Sequence, residues 1–108
     1  MTGTTVAPEF RHAIPSVVND SRLTAALEQA STEVLGPDHV TRIEQASLGG
    51  EDFAFYTQQL PGAMLRLGCT PPGGTPHYLH SARFDIDERC MPLGTRILLR
   101  AAVATANA

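Results

Sequence analysis

Residues 61–72, PGAMLRLGCTPP, decide the fold class that this sequence predicts. The run at 63–69 is almost continuously apolar and is broken by Arg66. Proline and glycine bound it on both sides, and a short apolar run between turn residues is typical of a buried strand. We therefore predict a strand at 63–69, followed by a turn-rich loop at 70–77.

A helix is predicted before this strand, over about residues 20–35. Asn19 and Asp20 are good N-cap residues, and Gly36 followed by Pro37 predicts the C-terminal end of the helix. The apolar side chains that recur at helical spacing are Leu23, Leu27, Ala30 and Val34. They lie on one face of a helix, which predicts an amphipathic helix with one apolar face.

A second long helix is predicted after the strand, from about residue 86 to 106. Asp85 and Glu88 have the spacing of a capping box, and Pro92 suits the first position of the main helix. Its apolar face consists of Leu93, Ile97, Leu98, Ala101 and Ala104.

Two shorter elements complete the order helix, strand, helix, strand, loop, helix. Residues 40–44 favour a short strand, and residues 51–59 favour a short helix that ends at Pro61. This order predicts an α/β fold in which helices flank a sheet. A length of 108 residues suits one small domain.

Composition and charge exclude several classes of protein. Apolar residues make up 43% and charged residues 18% of the chain, which is typical of a globular domain. The net charge of −3 gives no basic surface for nucleic acid or an anionic membrane. We expect neither kind of partner, and no apolar run is long enough to span a bilayer.

The two cysteines, Cys69 and Cys90, are too few for a disulfide scaffold. We expect both to be reduced thiols in a cytoplasmic protein, acting as small buried apolar groups. A bridge between them stays open, because spacing in sequence does not show proximity.

His77 and His80 form an H-x-x-H pair at the end of the turn-rich loop. Neutral imidazole is a good zinc ligand near pH 7, and both rings could bind one ion if the backbone turns there. The alternative is that both are loop histidines with ordinary hydrogen bonds.

Glu51 and Asp52 follow two glycines, Gly49 and Gly50. The acids are candidates for a catalytic or ligand-holding pair, or they complement the dipole in the first turn of a helix. The glycines could let backbone N–H groups approach a substrate carboxylate, or they form an ordinary turn.

Three strings resemble one family in order and spacing: GGEDFAFYTQQLPGAMLRLG at 49–68, YLHSARFDIDE at 78–88 and PLGTRILLRAA at 92–102. The string IPSVVND at 14–20 matches as well. The chain resembles the di-zinc amidohydrolase and exopeptidase superfamily, in the branch of hippurate hydrolase, N-acyl-amino-acid hydrolases and indole-acetyl-amino-acid hydrolase. The resemblance covers about residues 12–104.

This resemblance implies that residues 1–18 are the tail of a lid domain. Residues 19–108 are then the C-terminal part of a zinc exopeptidase-like catalytic domain, a fragment of a larger fold. His80 maps to a metal ligand, whereas His77 maps to no such role. Glu51 and Asp52 map beside the active-site cleft, Gly49 and Gly50 help to shape it, and Asn19 maps near the domain junction.

The chain departs from the family pattern, because it lacks the His-x-Cys ligand stretch, the bridging acid and the Glu-Glu pair that supplies the general base. A catalytic zinc site normally takes three protein ligands. The resemblance therefore implies a C-terminal segment of an amidohydrolase of N-acyl amino acids or related small amides. No catalytic residue lies in the chain, which is expected to be inactive alone.

The implied cofactor is a divalent metal, zinc first, with manganese or nickel as alternatives. The implied partners are an N-acyl amino acid substrate and either a second copy or a complementing N-terminal chain. Two other functions stay open: a non-enzymatic, self-associating interaction module, and a small histidine-based metal-binding domain.

Overall fold

The computed structural model describes residues 3–9 and 13–106. Helix α1 spans Ser21–Leu35, a 3-10 helix spans Pro37–His39, α2 spans Phe53–Thr57 and α3 spans Cys90–Ala106. No strand forms within these ranges. None of the described helices combines the length and apolar character that crossing a membrane requires.

Helix α1 confirms the first predicted helix, and both of its ends have local causes. Asp20 is the N-cap, and its Oδ1 accepts a hydrogen bond from the Leu23 N–H at 2.9 Å. At the other end Gly36 adopts a φ of 88°, and its N–H donates to the Thr32 carbonyl. A positive φ carries little penalty for glycine, so the helix ends there.

Helix α3 begins later than the sequence predicted. The Asp85 carboxylate accepts from the N–H of Ile86 at 2.8 Å, so the expected capping box does not form. Turns occupy residues 88–89, and the helix begins at Cys90. Pro92 is its third residue and not its first. Proline is tolerated there because the first-turn N–H groups of a helix have no intrahelical partner.

The core lies where α1 and α3 pack together. Ala30 of α1 meets Ile97 and Ala101 of α3, and Ile97 is 1% exposed. The two alanines allow the helices to approach closely. Around them lie the half-buried side chains of Leu27, Val34, Leu35, Leu65 and Leu67. An ion pair between Arg100 Nη1 and Glu33 Oε2, 2.7 Å long, also joins α1 to α3.

The segment at 63–69 packs as a strand would, but it has no neighbouring strand. Its odd-numbered residues are half-buried and its even-numbered residues are exposed, which is the period of a strand with one buried face. The backbone groups of residues 65–68 make no hydrogen bond to the rest of the described chain. The described residues therefore do not form the predicted strand, because a ladder requires a second strand, and the strand at 63–69 stays a prediction.

The described residues do not form the strand predicted at 40–44 either. Only Val40 is half-buried there, and its N–H donates to the Pro37 carbonyl to close the 3-10 helix. Arg42 is held to α1 by a bidentate contact with Glu28, whose shorter arm is 2.7 Å. The predicted sheet is consequently not formed by the described residues.

The chain is extended for its size. Its radius of gyration is 18.2 Å, whereas a compact domain of about 100 residues has roughly 13 Å. Leu99 and Val103, on the side of α3 away from the core, are each more than half exposed. A helix with apolar residues on its outer side is typical of a larger assembly than this packed pair.

Candidate functional site

A loop at residues 70–89, which we call the histidine loop, carries both candidate metal-binding histidines. Its base is closed by a hydrogen bond of 2.8 Å from the Asp87 N–H to the Cys69 carbonyl. Near its start, the Gly74 N–H donates to the Pro71 carbonyl, and Gly73 at the third position of this turn has a φ of 73°. A β-turn with a positive φ at that position normally has glycine there.

His80 occupies the same position in the next turn. The Ser81 N–H donates to the Tyr78 carbonyl at 3.0 Å, and His80, the third residue of this turn, has a φ of 71°. It is the one residue other than glycine with a positive φ among those described. Such a backbone conformation stores strain and is concentrated at functional sites.

The His80 side chain is exposed, and its ring makes no hydrogen bond to any described residue. Its nitrogens are therefore available to a ligand. His77 is exposed in the same loop and likewise has no hydrogen bond to a described residue. His12 lies outside the described residues.

A complete metal site is not assembled by the part of the chain that the structure describes. No group of three or more His, Cys, Asp or Glu residues within it could hold a metal ion. The ligand role of His80 stays a prediction. The arrangement supplies one accessible imidazole, which alone falls short of the three protein ligands of a catalytic zinc site.

The acid pair lies just before α2. The sequence placed Glu51 and Asp52 in the first turn of a helix, but α2 begins at Phe53. Glu51 Oε1 accepts from the Phe53 N–H at 3.1 Å, and Asp52 is an N-cap whose side chain caps no N–H group. Both side chains are exposed, so their role beside a substrate cleft stays a prediction.

The two glycines make different contacts. The Gly49 N–H donates to Ser47 Oγ at 3.3 Å. Gly50 lies against Ile14, and a Cβ at position 50 would come within 2.9 Å of Ile14 Cδ1. Gly50 therefore permits close packing between two distant stretches of chain. A substrate contact for either glycine stays a prediction.

Asn19 joins two segments that are 45 residues apart. Its Oδ1 accepts from the Met64 N–H at 3.0 Å, and its Nδ2 donates to the Met64 carbonyl at 3.4 Å. The side-chain amide thus imitates a neighbouring strand at the start of the segment 63–69. The sequence indicated only that Asn19 could cap a helix or lie near a domain junction, and neither signal points to Met64.

Asp87 is the loop residue whose importance the sequence did not indicate. Its carboxylate binds the Arg89 guanidinium, with the shortest contact at 2.6 Å, and accepts from the Arg89 N–H at 3.1 Å. The side-chain hydrogen bond from Arg89 is the main reason that the pKa of Asp87 lies below its usual value. These contacts fix the end of the histidine loop.

Comparison with known proteins points to one family. The sequence profile described as Peptidase family M20/M25/M40 matches residues 4–104. IAA-amino acid hydrolase ILR1-like 6 of Arabidopsis thaliana is 36% identical over 89% of this chain, which is 20% of its own length. N-acetylcysteine deacetylase of Bacillus subtilis is 31% identical over 83% of the chain and 22% of its own length.

A third relative carries a different name. A protein of Rhodococcus jostii named putative glutamate–cysteine ligase 2-3 is 46% identical over 83% of this chain. The match covers 11% of that protein, so most of its length lies outside the shared region. The chain thus spans between about a tenth and just over a fifth of the length of these three relatives. No solved structure matches it.

Proposed function

Because this chain belongs to peptidase family M20/M25/M40, we propose that it forms the C-terminal part of the α/β catalytic domain of a metal-dependent amidohydrolase. The substrates would be N-acyl amino acids or related small amides, in keeping with the names of the Arabidopsis and Bacillus relatives. The conformation of His80 carries this proposal. A strained turn on an exposed loop presents an imidazole that no described residue binds.

The donor chemistry of His80 fits a divalent metal, with zinc as first candidate and manganese or nickel as alternatives. The metal, when bound, would supply the Lewis acidity that polarises an amide carbonyl and activates water. The chain itself would contribute one ligand and the loop that positions it. The remaining ligands and the general base would come from residues outside this chain, and the chain alone would be inactive.

The segment at 63–69 supports the same proposal. One face of the segment is buried against α1 and α3. The backbone N–H and carbonyl groups of residues 65–68 make no hydrogen bond to any described residue. In the proposed enzyme this segment would be a strand within a larger sheet, with α1 and α3 covering one face. The assignment of residues 1–18 to a lid and the cytoplasmic location stay predictions from the sequence.

An activity assay tests the proposal. The purified chain, supplied with zinc or manganese, is expected to give no turnover of N-acetyl amino acids or N-benzoylglycine above a metal-only blank. It is then expressed together with the Bacillus relative from which the matching segment has been removed. Metal-dependent deacetylation is expected from the pair, with loss in His80→Ala and retention in His77→Ala. Turnover by the chain alone, or full activity of the His80→Ala pair, would contradict the proposal.

A zinc titration separates this function from that of an independent metal-binding domain. One weak site that disappears in His80→Ala and persists in His77→Ala is expected for a lone ligand. Tight binding that requires both histidines would favour the small histidine-based domain instead.

A self-associating module is the second candidate function, and the apolar outer side of α3 favours it. Leu99 and Val103 would lie between copies, because exposed apolar surface usually marks an interaction site. Size-exclusion chromatography of the purified chain tests this candidate. A monomer at all concentrations would count against it, and a dimer that Leu99→Glu dissociates would support it.

A further inference from the structure

Cys69 and Cys90 lie at the two ends of the histidine loop, and one residue connects their backbones. The Asp87 N–H donates to the Cys69 carbonyl at 2.8 Å, and the Asp87 carbonyl accepts from the Cys90 N–H at 2.9 Å. Both cysteines are free and half-buried. The loop between them thus leaves and rejoins the packed part of the molecule at neighbouring points.

The Cys90 side chain lies on the buried face of α3. Cys90, Gly94, Ile97 and Ala101 are spaced by four, three and four residues, which places them on one face of a helix. Ile97 and Ala101 of this set are buried in the core, and Cys90 and Gly94 are half-buried. The thiol of Cys90 therefore faces inward.

The Cys69 side chain faces the same way as Leu67, because alternate residues of an extended segment share a face. Leu67 lies against Gly94, where an added Cβ would be 2.9 Å from Leu67 Cδ2. The Cys69 carbonyl accepts a hydrogen bond from Asp87, which precedes α3 in the chain, whereas Leu67 lies against Gly94 within α3. The segment therefore runs antiparallel to α3.

The distance from Leu67 to Cys69 along the segment matches the distance from Gly94 to Cys90 along the helix. Two residues along an extended segment advance about 6.6 Å, and four residues back along a helix cover about 6 Å. If Leu67 lies over Gly94, then Cys69 lies over Cys90. Two inward-facing thiols on facing elements, with backbones held by the same Asp87, are the arrangement from which a disulfide can close.

We propose that Cys69 and Cys90 are a redox-sensitive pair, which forms a reversible disulfide that fastens the base of the histidine loop. The oxidant is a low-molecular-weight disulfide such as glutathione disulfide. One cysteine thiolate attacks it, which forms a mixed disulfide and expels one glutathione thiolate. The second cysteine thiolate then attacks the cysteine sulfur of the mixed disulfide and expels the other glutathione. The protein loses two protons and two electrons, and two glutathione thiols form. This modification does not depend on the proposed amide hydrolysis.

The test is oxidation of the purified full chain by glutathione disulfide, followed by mass spectrometry without reductant. The expected product is a monomer that has lost two hydrogen atoms and carries no glutathione. Trypsin digestion should then yield peptide 67–83 linked to peptide 90–96, and reductant should separate them.

The matched control moves one thiol to the other face of the segment. The double variant Cys69→Ser with Thr70→Cys has almost the same loop length, but its new thiol points away from α3, since Thr70 is exposed. Its bridge should close at least about tenfold more slowly than that of the unmodified chain, because the thiols are not held in reach. In denaturing urea the two rates should become equal.

Three results would overturn the proposal. These are equal closure rates under native conditions, a product with glutathione on both cysteines, and disulfide-linked dimers as the main product. Circular dichroism of each variant confirms that the helices are retained. If the double variant is unfolded, the second control is Cys90→Ser with Met91→Cys, which shifts the thiol off the buried face of α3 and should also close slowly.

Discussion

The packed region, formed by α1, α3 and the segment 63–69, and the histidine loop are stabilised by different interactions. In the packed region, α1, α3 and the segment 63–69 bury Ala30, Ile97 and Ala101 against one another. The histidine loop buries no residue, and its shape depends on turns, on Asp87 and on one strained residue, His80. The first region is stabilised by burial and the second by local geometry. The largest mutational effects on stability should therefore fall in the first region, and the effects on ligand binding in the second.

The largest effect is expected for Ile97→Ala. Ile97 is 1% exposed at the contact between α1 and α3. Truncation of a buried isoleucine to alanine costs about 2–5 kcal/mol, which is a large part of the stability of a small domain. Urea denaturation followed by circular dichroism measures the change. The neighbouring variant Leu98→Ala, at a side chain that is 59% exposed, is the control. Equal losses in both variants would show that this helix contact is not the core.

A smaller effect is expected for Asn19→Ala, which removes both hydrogen bonds to Met64. Because this contact is exposed and water can replace it, the expected loss is about 1 kcal/mol of unfolding free energy. Asn19→Asp keeps the 3.0 Å acceptor bond and should lose less. If both variants match the unmodified chain, Asn19 does not hold the segment 63–69 in place.

In the histidine loop, His80→Gly should raise stability while it removes the candidate ligand. Glycine adopts a φ near 71° without strain, so the expected gain is at most about 1 kcal/mol. His77→Gly, at a residue without a positive φ, should give no gain. Thermal unfolding of the two variants compares them directly. A gain from His77→Gly equal to that from His80→Gly would mean that His80 is not strained.

The smallest effect concerns the pH dependence of two exposed ion pairs. Hydrogen bonds from Arg42 and Arg89 lower the pKa of Glu28 below 4.5 and that of Asp87 below 3.8. A carboxyl with a lowered pKa stabilises the folded state above its ordinary pKa, and this contribution is lost as the pH falls through the folded pKa.

Unfolding of Glu28→Gln and Asp87→Asn, measured from neutral pH downward, tests this. Each variant should be less stable than the unmodified chain at neutral pH, and the difference should shrink below pH 4.5 for the first and below 3.8 for the second. A difference that does not change with pH would show that neither ion pair contributes.

The sequence predicted the helices better than the strands. Helix α1 was predicted from its cap and its apolar spacing, both of which are local signals. Residues 63–69 have the right burial pattern for a strand but form no ladder, because pairing depends on a partner far away in the chain or outside it. The start of α3 was predicted too early, since the carboxylate of Asp85 bonds to the adjacent N–H and not to the expected one.

The sequence by itself determined the family, the position of α1, the existence of α3 and the choice of His80 as a candidate ligand. The two helices follow from residue types at short spacing, where each signal depends on its immediate neighbours. The family and the ligand role of His80 follow from the resemblance of longer strings to known enzymes. Only the tertiary structure decided that Asn19 binds Met64, that His80 adopts a left-handed turn and that Asp87 hydrogen-bonds to the backbones of both Cys69 and Cys90. Those features are contacts between segments that are distant in sequence, or backbone torsions fixed by such contacts. Residue types at short spacing do not show which distant segments will pack together.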